Sequence, residues 1–454
     1  MVWCTDLDPL APIIRHSYPD DGRPVTYDPL SVFRSLLLCQ LRGLRNLTDW
    51  AAQLRREPTL AILCGFWSGQ TPCVGTFYGF LRRMFPQPKA AQVKGIIRQH
   101  HRVKKPGHGQ KLPPDRRKLA RLARWCSEHR TQSPAPTAAD LWDQVLTATV
   151  AQSIDRGIIP QNTPVGVAGD GSLLRSGAHS HGRKACTCPG RCTCPRYFSD
   201  PTARPGYDST NNCFLLGRAV YVLTETNSGH HLPLTLDLGP ANRADSVSHL
   251  IAIAKAERLL PITINIDLSD SAHDHDPLYR FDLGLGIEPV FDRHGKLPKP
   301  LPAVAQRLRD VGLTLCLHGR PACEQGVLHS VGHSRPGIRQ FQCPLRHPDS
   351  CPRTTCPFRN GKRFTIDIRL QPRLLARNPQ TEPAVRRLYK KRTSVERTFS
   401  LLTSASNLDT ARHRRDYLWH GRLAITAVLA HARVWTSSSC LSAAAWLRTW
   451  AAAA

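Results

Sequence analysis

Two stretches of the sequence end an apolar run on an aspartate, a pattern that places carboxylates where a metal ion can bind. In VGVAGDGSLL, residues 165–174, the run ends on Asp170 between two glycines. In ITINIDLSD, residues 262–270, it ends on Asp267 or Asp270. Functional residues of α/β proteins gather at the carboxyl ends of strands, and Mg²⁺ prefers oxygen ligands. The pattern therefore predicts a magnesium site that handles phosphodiesters, with an ordinary Asp-Gly turn as the alternative for Asp170.

A third carboxylate, Glu396, lies in the stretch YKKRTSVERTFSLL. Tyr389, Arg392 and Glu396 recur at positions i, i+3 and i+7, which fall on one face of an α-helix. A separate apolar stripe consists of Leu388, Val395, Phe399 and Leu402. We predict a helix near Pro383 to Thr403 that packs on a core and turns the polar face toward a cleft. The alternative role for Glu396, which lies between two arginines, is a salt bridge on a solvated face.

The chain has 16 cysteines, and two clusters of them favour metal binding over a disulfide scaffold. The first cluster, C-x-C-x3-C-x-C, consists of Cys186, Cys188, Cys192 and Cys194. The second consists of Cys316, Cys323, Cys343, Cys351 and Cys356, with His329, His333 and His347 nearby. Both are candidate sites for structural Zn²⁺, and Cys343, Cys351 and Cys356 are the candidate ligands in the second. Free thiols are the alternative at both clusters.

The charge of the chain points to a polyanionic partner. With 62 Lys+Arg against 34 Asp+Glu, the formal net charge is +28, which favours nucleic acid and predicts binding that weakens with salt. The excess is clustered between Arg102 and Arg124. The sequence lacks an apolar run long enough for a membrane span and a secretory signal at its start, so we expect a cytoplasmic protein without a membrane partner.

The elements that must position these residues follow from periodicity and start signals. Asp28-Pro29 and Thr71-Pro72 start helices in an N-terminal all-helical region. A basic linker and a mainly helical stretch follow. From Gly166 the order is strand, strand, strand, helix and strand, which predicts a mixed α/β fold, with an antiparallel meander in its first part.

We divide the chain into six segments on this basis. They are a helical N-terminal DNA-binding domain (1–100), a basic linker with helices (101–160), the first part of an α/β core with a Cys-rich loop at 186–194 (161–290), a Cys/His-rich insertion (291–362), the second part of the core with the Glu396 helix (363–435), and a C-terminal tail (436–454).

The motifs GDGS with Asp170, DSAHD with Asp270, and Y-x2-R-x3-E with Glu396 resemble the DDE transposases of bacterial insertion sequences. The resemblance is to the group with a Tyr-Arg-Glu-Lys signature and a β-rich insertion, and it spans roughly residues 28–435. It implies an RNase H-like catalytic core, with a mixed sheet flanked by helices. Asp170, Asp270 and Glu396 would form its catalytic triad and hold two Mg²⁺ ions. Asp270 is preferred to Asp267 because D-S-A-H-D matches the D-x-x-Y-D form of the family.

The resemblance also implies DNA contacts. Tyr389 and Arg392 would contact phosphates at the transposon end, with further charge from Lys391 and Arg397. The sequence departs from the family at His273, which replaces a tyrosine, and at Thr403, which replaces the lysine of the signature. The region between the second aspartate and the glutamate lacks tryptophan, so base stacking there would fall to Phe341, Phe358 or another ring.

The activity implied by the resemblance is cut-and-paste transposition of double-stranded DNA. Water would attack the phosphodiester at an element end, and the released 3′-OH would attack first the opposite strand and then the target. Joining two ends implies a homodimer in the DNA complex. Two alternatives are a plain RNase H-like nuclease and an inactive, zinc-containing DNA-binding protein.

Overall fold

The structure is a computed structural model that divides into two compact units, Met1–Ile264 with Thr393–Ala454, and Asn265–Arg392. The structure describes residues 5–18, 25–44, 46–86, 96–98, 117–133, 137–190, 192, 194, 196–209, 211–293, 299–316, 319–335, 337–345, 350–352, 354, 356–359, 361–375 and 383–453. Within these ranges, the helices include none with the length and apolarity needed to span a membrane.

The first unit begins with five helices, which agrees with the predicted all-helical region. The Asp28-Pro29 signal starts a helix as predicted, whereas the helix expected from Thr71-Pro72 begins at Val74, with Cys73 as its N-cap. They are α1 (Ala11–His16), α2 (Pro29–Leu41), α3 (Leu47–Arg56), α4 (Pro58–Cys64) and α5 (Val74–Arg83). Asp28 is the N-cap of α2, and its Oδ2 accepts the Ser31 N–H at 2.9 Å. Asn46 caps α3 in the same way by accepting the Asp49 N–H at 2.7 Å. These caps satisfy backbone donors that the first turn leaves without partners.

The first unit continues with a short strand, two helices and then the main sheet. The elements are β1 (Ile96–Arg98), α6 (Lys118–Glu128), α7 (Asp140–Asp155), β2 (Val165–Arg175), β3 (Arg183–Lys184), β4 (Arg196–Phe198), β5 (Arg204–Asp208), β6 (Cys213–Glu225), β7 (Pro233–Pro240) and α8 (Asp245–Leu259). Strand β6 pairs antiparallel with β2, β5 and β7, which confirms the predicted meander. A separate three-stranded antiparallel sheet has the order β1-β4-β3.

The second unit contains a parallel strand pair and two small antiparallel sheets. Its elements are β8 (Ile264–Ser269), α9 (Asp276–Leu285), β9 (Glu288–Phe291), α10 (Pro302–Arg309), β10 (Thr314–Leu315), β11 (Pro321–Cys323), β12 (Gly326–Val327), β13 (His329–Arg335), β14 (Ile338–Gln342), β15 (Phe364–Asp367) and α11 (Pro383–Tyr389). Helix α9 connects the parallel strands β8 and β9. Strand β15, predicted in the second part of the core, pairs with β14 of the insertion.

Two helices complete the first unit, α12 (Thr393–Ser406) and α13 (Asp416–Ala453). The predicted helix from Pro383 to Thr403 is therefore divided, because Lys390–Arg392 forms a 3₁₀ turn between α11 and α12. The predicted C-terminal tail has a helical backbone that continues α13. The structure confirms the mixed α/β class.

The N-terminal helices share their core with later parts of the first unit. Trp142 and Val145 of α7 and Val428 and Leu429 of α13 are buried in one cluster with the apolar faces of α1–α5. Burial of such side chains stabilises the fold by roughly 1.5–3 kcal/mol each relative to exposure. The helices of residues 1–100 are therefore packed as part of the first unit.

A buried ion-pair group joins three distant segments of the first unit. The Arg218 guanidinium, which is 2% exposed, donates to both Asp200 oxygens at 2.7 Å, and its Nε donates to Asp416 Oδ1 at 2.8 Å. Burial by itself lowers the pKa of Arg218, but the hydrogen bonds and charges of the two carboxylates outweigh burial and raise it. The group ties β6 to the start of α13.

Candidate active site

Asp170 lies in the middle of β2, where the buried part of the strand gives way to a more exposed part. Residues 165–169 are buried, Asp170 is half-buried, and the strand continues to Arg175. The expectation that the strand ends at Asp170 is therefore wrong, because the antiparallel partner β6 extends the pairing beyond it. Asp170 Oδ1 accepts the Gly171 N–H at 2.7 Å.

The glycines beside Asp170 allow close packing on the opposite face of the sheet. Successive side chains of a strand point to opposite faces, so Gly169 and Gly171 face away from the Asp170 side chain. A Cβ on Gly169 would overlap the Tyr221 hydroxyl, and a Cβ on Gly171 would overlap the Asp245 carboxylate. Glycine at these positions lets side chains pack closely on that face.

Helix α12, which carries Glu396, packs on the face of the sheet that bears Asp170. Thr224 of β6 lies opposite Ala168, so its side chain shares the Asp170 face. The Thr224 and Thr398 hydroxyl oxygens are 3.1 Å apart, and Thr398 also donates to the His231 carbonyl at 2.7 Å. Within the first unit, the fold thus places the Glu396 helix over the Asp170 face.

Glu396 is exposed on α12, whose buried side is formed by Ser394, Val395, Thr398 and Leu402. The Arg397 guanidinium lies 3.1 Å from His231 Nε2. Burial and then the Arg397 charge lower the pKa of His231, so the neutral imidazole is favoured beside the arginine. Glu396 and Arg397 are thus both accessible to a ligand.

Asp270 follows β8 and caps a 3₁₀ turn at Ser271–His273. Its Oδ1 accepts the Ala272 N–H at 3.0 Å and the Nδ1–H of the fully buried His273 at 2.7 Å. Burial by itself raises the pKa of Asp270, but the His273 hydrogen bond and charge, the Ala272 N–H and the Arg392 charge outweigh burial and lower it. Asp270 is therefore held as a carboxylate with 39% of its side chain exposed.

Asp267 differs from Asp270 in its exposure. It is fully buried on β8, and its Oδ1 accepts the Ser269 hydroxyl at 3.0 Å. Of the two candidates for the second acidic ligand, only Asp270 has an exposed carboxylate.

Tyr389 and Arg392 lie near Asp270 in the second unit. The Tyr389 hydroxyl donates to the Ser269 carbonyl at 3.3 Å, next to Asp270 along the chain. The Arg392 guanidinium carbon lies 6.0 Å from the centre of the Tyr389 ring. Contrary to the prediction, Tyr389, Arg392 and Glu396 do not lie on one face of a continuous helix, because the 3₁₀ turn interrupts the helix and changes its phase. Lys391 is exposed in this turn.

A buried group that the sequence analysis missed supports the loop after Asp270. Arg373 donates to both Asp274 oxygens, at 3.0 and 2.8 Å, and the Tyr279 hydroxyl donates to Asp274 Oδ1 at 3.2 Å. Asp274 is 4% exposed. Arg373 and Asp274 are 99 positions apart in the chain, so no local pattern links them, and only the DSAHD motif itself indicates this loop.

The first cysteine cluster forms a group with the composition of a metal site. One Sγ from each of Cys186, Cys188, Cys192 and Cys194 lies within 4.8 Å of the others. Cys186 and Cys192 have sulfurs 3.4 Å apart, and Cys188 and Cys194 have sulfurs 3.7 Å apart. The Cys188 N–H and the neighbouring thiols lower the pKa of Cys186 to about 7, whereas the hydrogen bonds and charges of Cys188 and Cys186 raise the pKa of Cys194 to about 12. The group is compatible with Zn²⁺.

The second cysteine cluster is organised around apolar side chains. Cys323, Cys343 and Cys356 pack against a core that contains Leu328 and Phe341, and Cys351 is buried. In the described part of the chain, Cys343, Cys351 and Cys356 do not join a group of three nearby ligand atoms. His347 and the His333 side chain lie outside the described residues.

Neither of the two rings named as candidates for base stacking is accessible. Phe341 is 3% exposed and Phe358 is 5% exposed, and both belong to the core of this segment. The stacking expectation for these rings is wrong, because the insertion needs them for its own apolar core.

The structure describes part of the basic segment between Arg102 and Arg124. Residues 101–116 lie outside the described residues. On α6, Lys118, Arg121 and Arg124 are exposed and recur every three residues, so they share one side of the helix. This side is a candidate surface for phosphates.

Comparison with known proteins gives one result for the N-terminal helices. Residues 3–83 match the family model described as a transposase domain (DUF772), and this range contains α1–α5. A search of the curated proteins finds no match to the chain. The match supports a transposase. It does not cover the carboxylates Asp170, Asp270 and Glu396.

Proposed function

We propose that the chain is a DDE transposase that cleaves DNA at the ends of an insertion sequence and joins the released 3′ ends to target DNA. The observation that carries the proposal is the packing of α12, with the exposed Glu396, on the strand face that bears Asp170. The transposase-domain match at residues 3–83 supports the same class of activity.

The order of elements supports an RNase H-like core. Strands β2, β6 and β7 are antiparallel and consecutive in the main sheet of the first unit, α8 follows, and β8 and β9 are parallel with α9 between them. A sheet with both antiparallel and parallel strands, together with helices, is compatible with the mixed sheet flanked by helices that the resemblance implies. The insertion that contains β10–β14 precedes the Glu396 helix, as in the group with a β-rich insertion.

Asp170, Asp270 and Glu396 are the proposed ligands of two Mg²⁺ ions. Their carboxylates are half-buried or exposed, and oxygen donors of this kind suit a hard divalent cation. Bound Mg²⁺ supplies activation of the attacking oxygen and stabilisation of the leaving one. The His273 hydrogen bond keeps Asp270 ionised, and β2 holds Asp170 through its backbone.

The basic residues near the carboxylates are the proposed DNA contacts. Arg392 and Lys391 in the second unit and Arg397 in the first would bind phosphate oxygens, and Tyr389 would position the backbone near Asp270. A homodimer is the proposed form in the DNA complex, because two element ends must be joined. Double-stranded DNA is thus both substrate and target.

Glu396→Gln tests the proposal, with Glu128→Gln as a matched control at an exposed position of α6. The substrate is a supercoiled plasmid that carries the coding region with the DNA on both sides of it. We expect the wild type and Glu128→Gln to cut at the element ends with Mg²⁺ and to join the labelled 3′ ends. We expect Glu396→Gln to bind the same DNA without cutting it.

One observation favours a second candidate, a DNA-binding protein that has lost catalysis. Thr403 stands where the signature has a lysine, and a threonine side chain carries no positive charge. Its hydroxyl donates to the Phe399 carbonyl at 2.8 Å. Binding without cutting by the wild type, with either Mg²⁺ or Mn²⁺, would establish this candidate. Cutting without joining of the 3′ ends would instead identify a nuclease.

A further inference from the structure

The loop between β3 and β4 contains four cysteines that no part of the proposed DNA chemistry uses. The two strands pair through only Arg183 with Tyr197 and Lys184 with Arg196. Within residues 185–194, none of the described residues is buried. A segment without buried apolar side chains does not gain enough from packing to offset the entropy of ordering it. Another interaction must therefore hold the loop.

Two sulfur–sulfur separations in the cluster are compatible with a tetrahedral metal site. A tetrahedron of sulfurs at a Zn–S distance of about 2.3 Å has edges of roughly 3.8 Å. The separations of 3.4 Å for Cys186–Cys192 and 3.7 Å for Cys188–Cys194 are close to this edge. They are well above the roughly 2.0 Å of a disulfide bond. The geometry thus favours a shared ion over two disulfides.

The backbone of the loop brings the two C-x-C pairs together. Gly190 lies between the pairs and has φ 70°, in the left-handed region that glycine adopts without strain. The Lys184 ammonium donates to the Cys188 carbonyl at 3.2 Å and to the Gly190 carbonyl, which closes the loop on β3. The turn thus places the sulfurs of the two C-x-C pairs within 4.8 Å of one another.

The charges around the cluster suit four thiolates. Four thiolates and one divalent cation carry a net charge of −2. The exposed Arg183 and Lys184 and the half-buried Arg196 are on the adjoining strands. Arg183 lies with its guanidinium carbon 5.3 Å from the Tyr197 ring centre, and Arg196 donates to the His181 carbonyl at 3.2 Å. These basic residues partly offset the negative charge of the site.

We propose that Cys186, Cys188, Cys192 and Cys194 bind one Zn²⁺ ion that holds the β3–β4 loop in place. Because four thiolates complete the tetrahedral coordination, the site has no open position for substrate and is structural. The ion replaces the apolar core that the loop lacks and fixes the hairpin that carries the basic side chains.

The zinc content of the full-length protein, purified with a thiol reductant, tests this proposal. The double variant Cys188→Ser/Cys192→Ser is expected to contain one Zn²⁺ fewer per chain than the wild type. Cys213→Ser is the matched control, because Cys213 is an exposed free thiol outside the cluster, and it is expected to keep the wild-type zinc content. Equal zinc contents in the wild type and the double variant would overturn the proposal.

Two further measurements keep the test valid if the double variant folds poorly. Replacement of Zn²⁺ by Co²⁺ in the wild type is expected to give the visible bands of a tetrahedral tetrathiolate site. Limited trypsin digestion is expected to cut after Lys184 faster once a chelator has removed the ion. Absence of the cobalt bands, or thiols of the cluster that react only after a disulfide is reduced, would contradict the proposal.

Discussion

Asp170 and Asp270 are held in different ways. Asp170 lies within a long strand, and its position follows from the register of β2 on β6 and from the two glycines that allow close packing on the other face. Asp270 lies after a strand, and hydrogen bonds from Ala272 and His273 determine its position and its charge. A carboxylate in a strand thus depends on backbone pairing, whereas a carboxylate in a loop depends on its neighbours' side chains.

Removal of either carboxylate charge should have the largest effect. If both are metal ligands, Asp170→Asn and Asp270→Asn should each lower the rate of end cleavage by about 10³-fold or more, because several kcal/mol of transition-state stabilisation would be lost. Cleavage of a labelled duplex measures this. Asp310→Asn, at an exposed position of the second unit, should leave the rate unchanged. Full activity in either test variant would remove that residue from the site.

The activity that depends on Asp270, the carboxylate in the loop, should be sensitive to the His273 side chain that supports it. His273→Ala should lower the cleavage rate by roughly 10- to 100-fold, as for other groups that support a metal ligand. Loss of the hydrogen bond should also raise the pKa of Asp270, so the acidic limb of the pH–rate profile should move to higher pH. His273→Asn, which retains an N–H donor, should recover part of both effects. An unchanged pH profile in His273→Ala would show that His273 does not control Asp270.

The strand that carries Asp170 should instead be sensitive to packing at Gly169. Gly169→Ala places a methyl group against the buried Tyr221 and should lower the free energy of unfolding by about 1–3 kcal/mol. Thermal denaturation measures this. Gly284→Ala is the matched control, since it lies in α9 with open space for a Cβ, and it should be neutral or stabilising by about 0.5–1 kcal/mol. Equal stability of Gly169→Ala and wild type would refute the packing role of this glycine.

Substitutions of Arg392 and Arg397 should have the smallest effects. They should also distinguish the surroundings of Asp270 from those of Asp170. Arg392→Gln and Arg397→Gln should each reduce the slope of log K against log salt by about 0.9, if each contacts one phosphate. Only Arg392→Gln should also raise the pKa of Asp270 and move the pH–rate profile. DNA binding over a range of salt concentrations, together with the pH profile, measures both. A pH shift in Arg397→Gln alone would reverse this assignment.

Several parts of the fold were predictable because their signals are local. The Asp28 cap, the meander of β2, β6 and β7, and helix α8 follow from start signals and from residue periodicity. The 3₁₀ turn at Lys390–Arg392 was not predictable, since it contains no proline or glycine to mark a break. The course of β2 past Asp170 depends on pairing with β6, which no pattern within VGVAGDGSLL indicates.

The two cysteine clusters also show that local patterns do not predict long-range packing. Both clusters are candidate zinc sites by their sequence. Among the described residues, the first cluster brings its four thiols together, whereas Cys343 and Cys356 of the second pack against an apolar core. The sequence shows which residues are near one another along the chain. It does not show whether the apolar residues between them suffice to form a core.

The sequence by itself determined the charge of the protein, its mixed α/β class, the start of α2 and the identity of the acidic and thiol groups. Those properties depend on residue type and on spacing over a few residues. Only the tertiary structure decided that Asp267 is buried while Asp270 is half-buried, that α12 covers the Asp170 face, and that Arg373 supports Asp274. These outcomes depend on contacts between residues far apart in the chain, and packing selects those contacts for the whole fold at once.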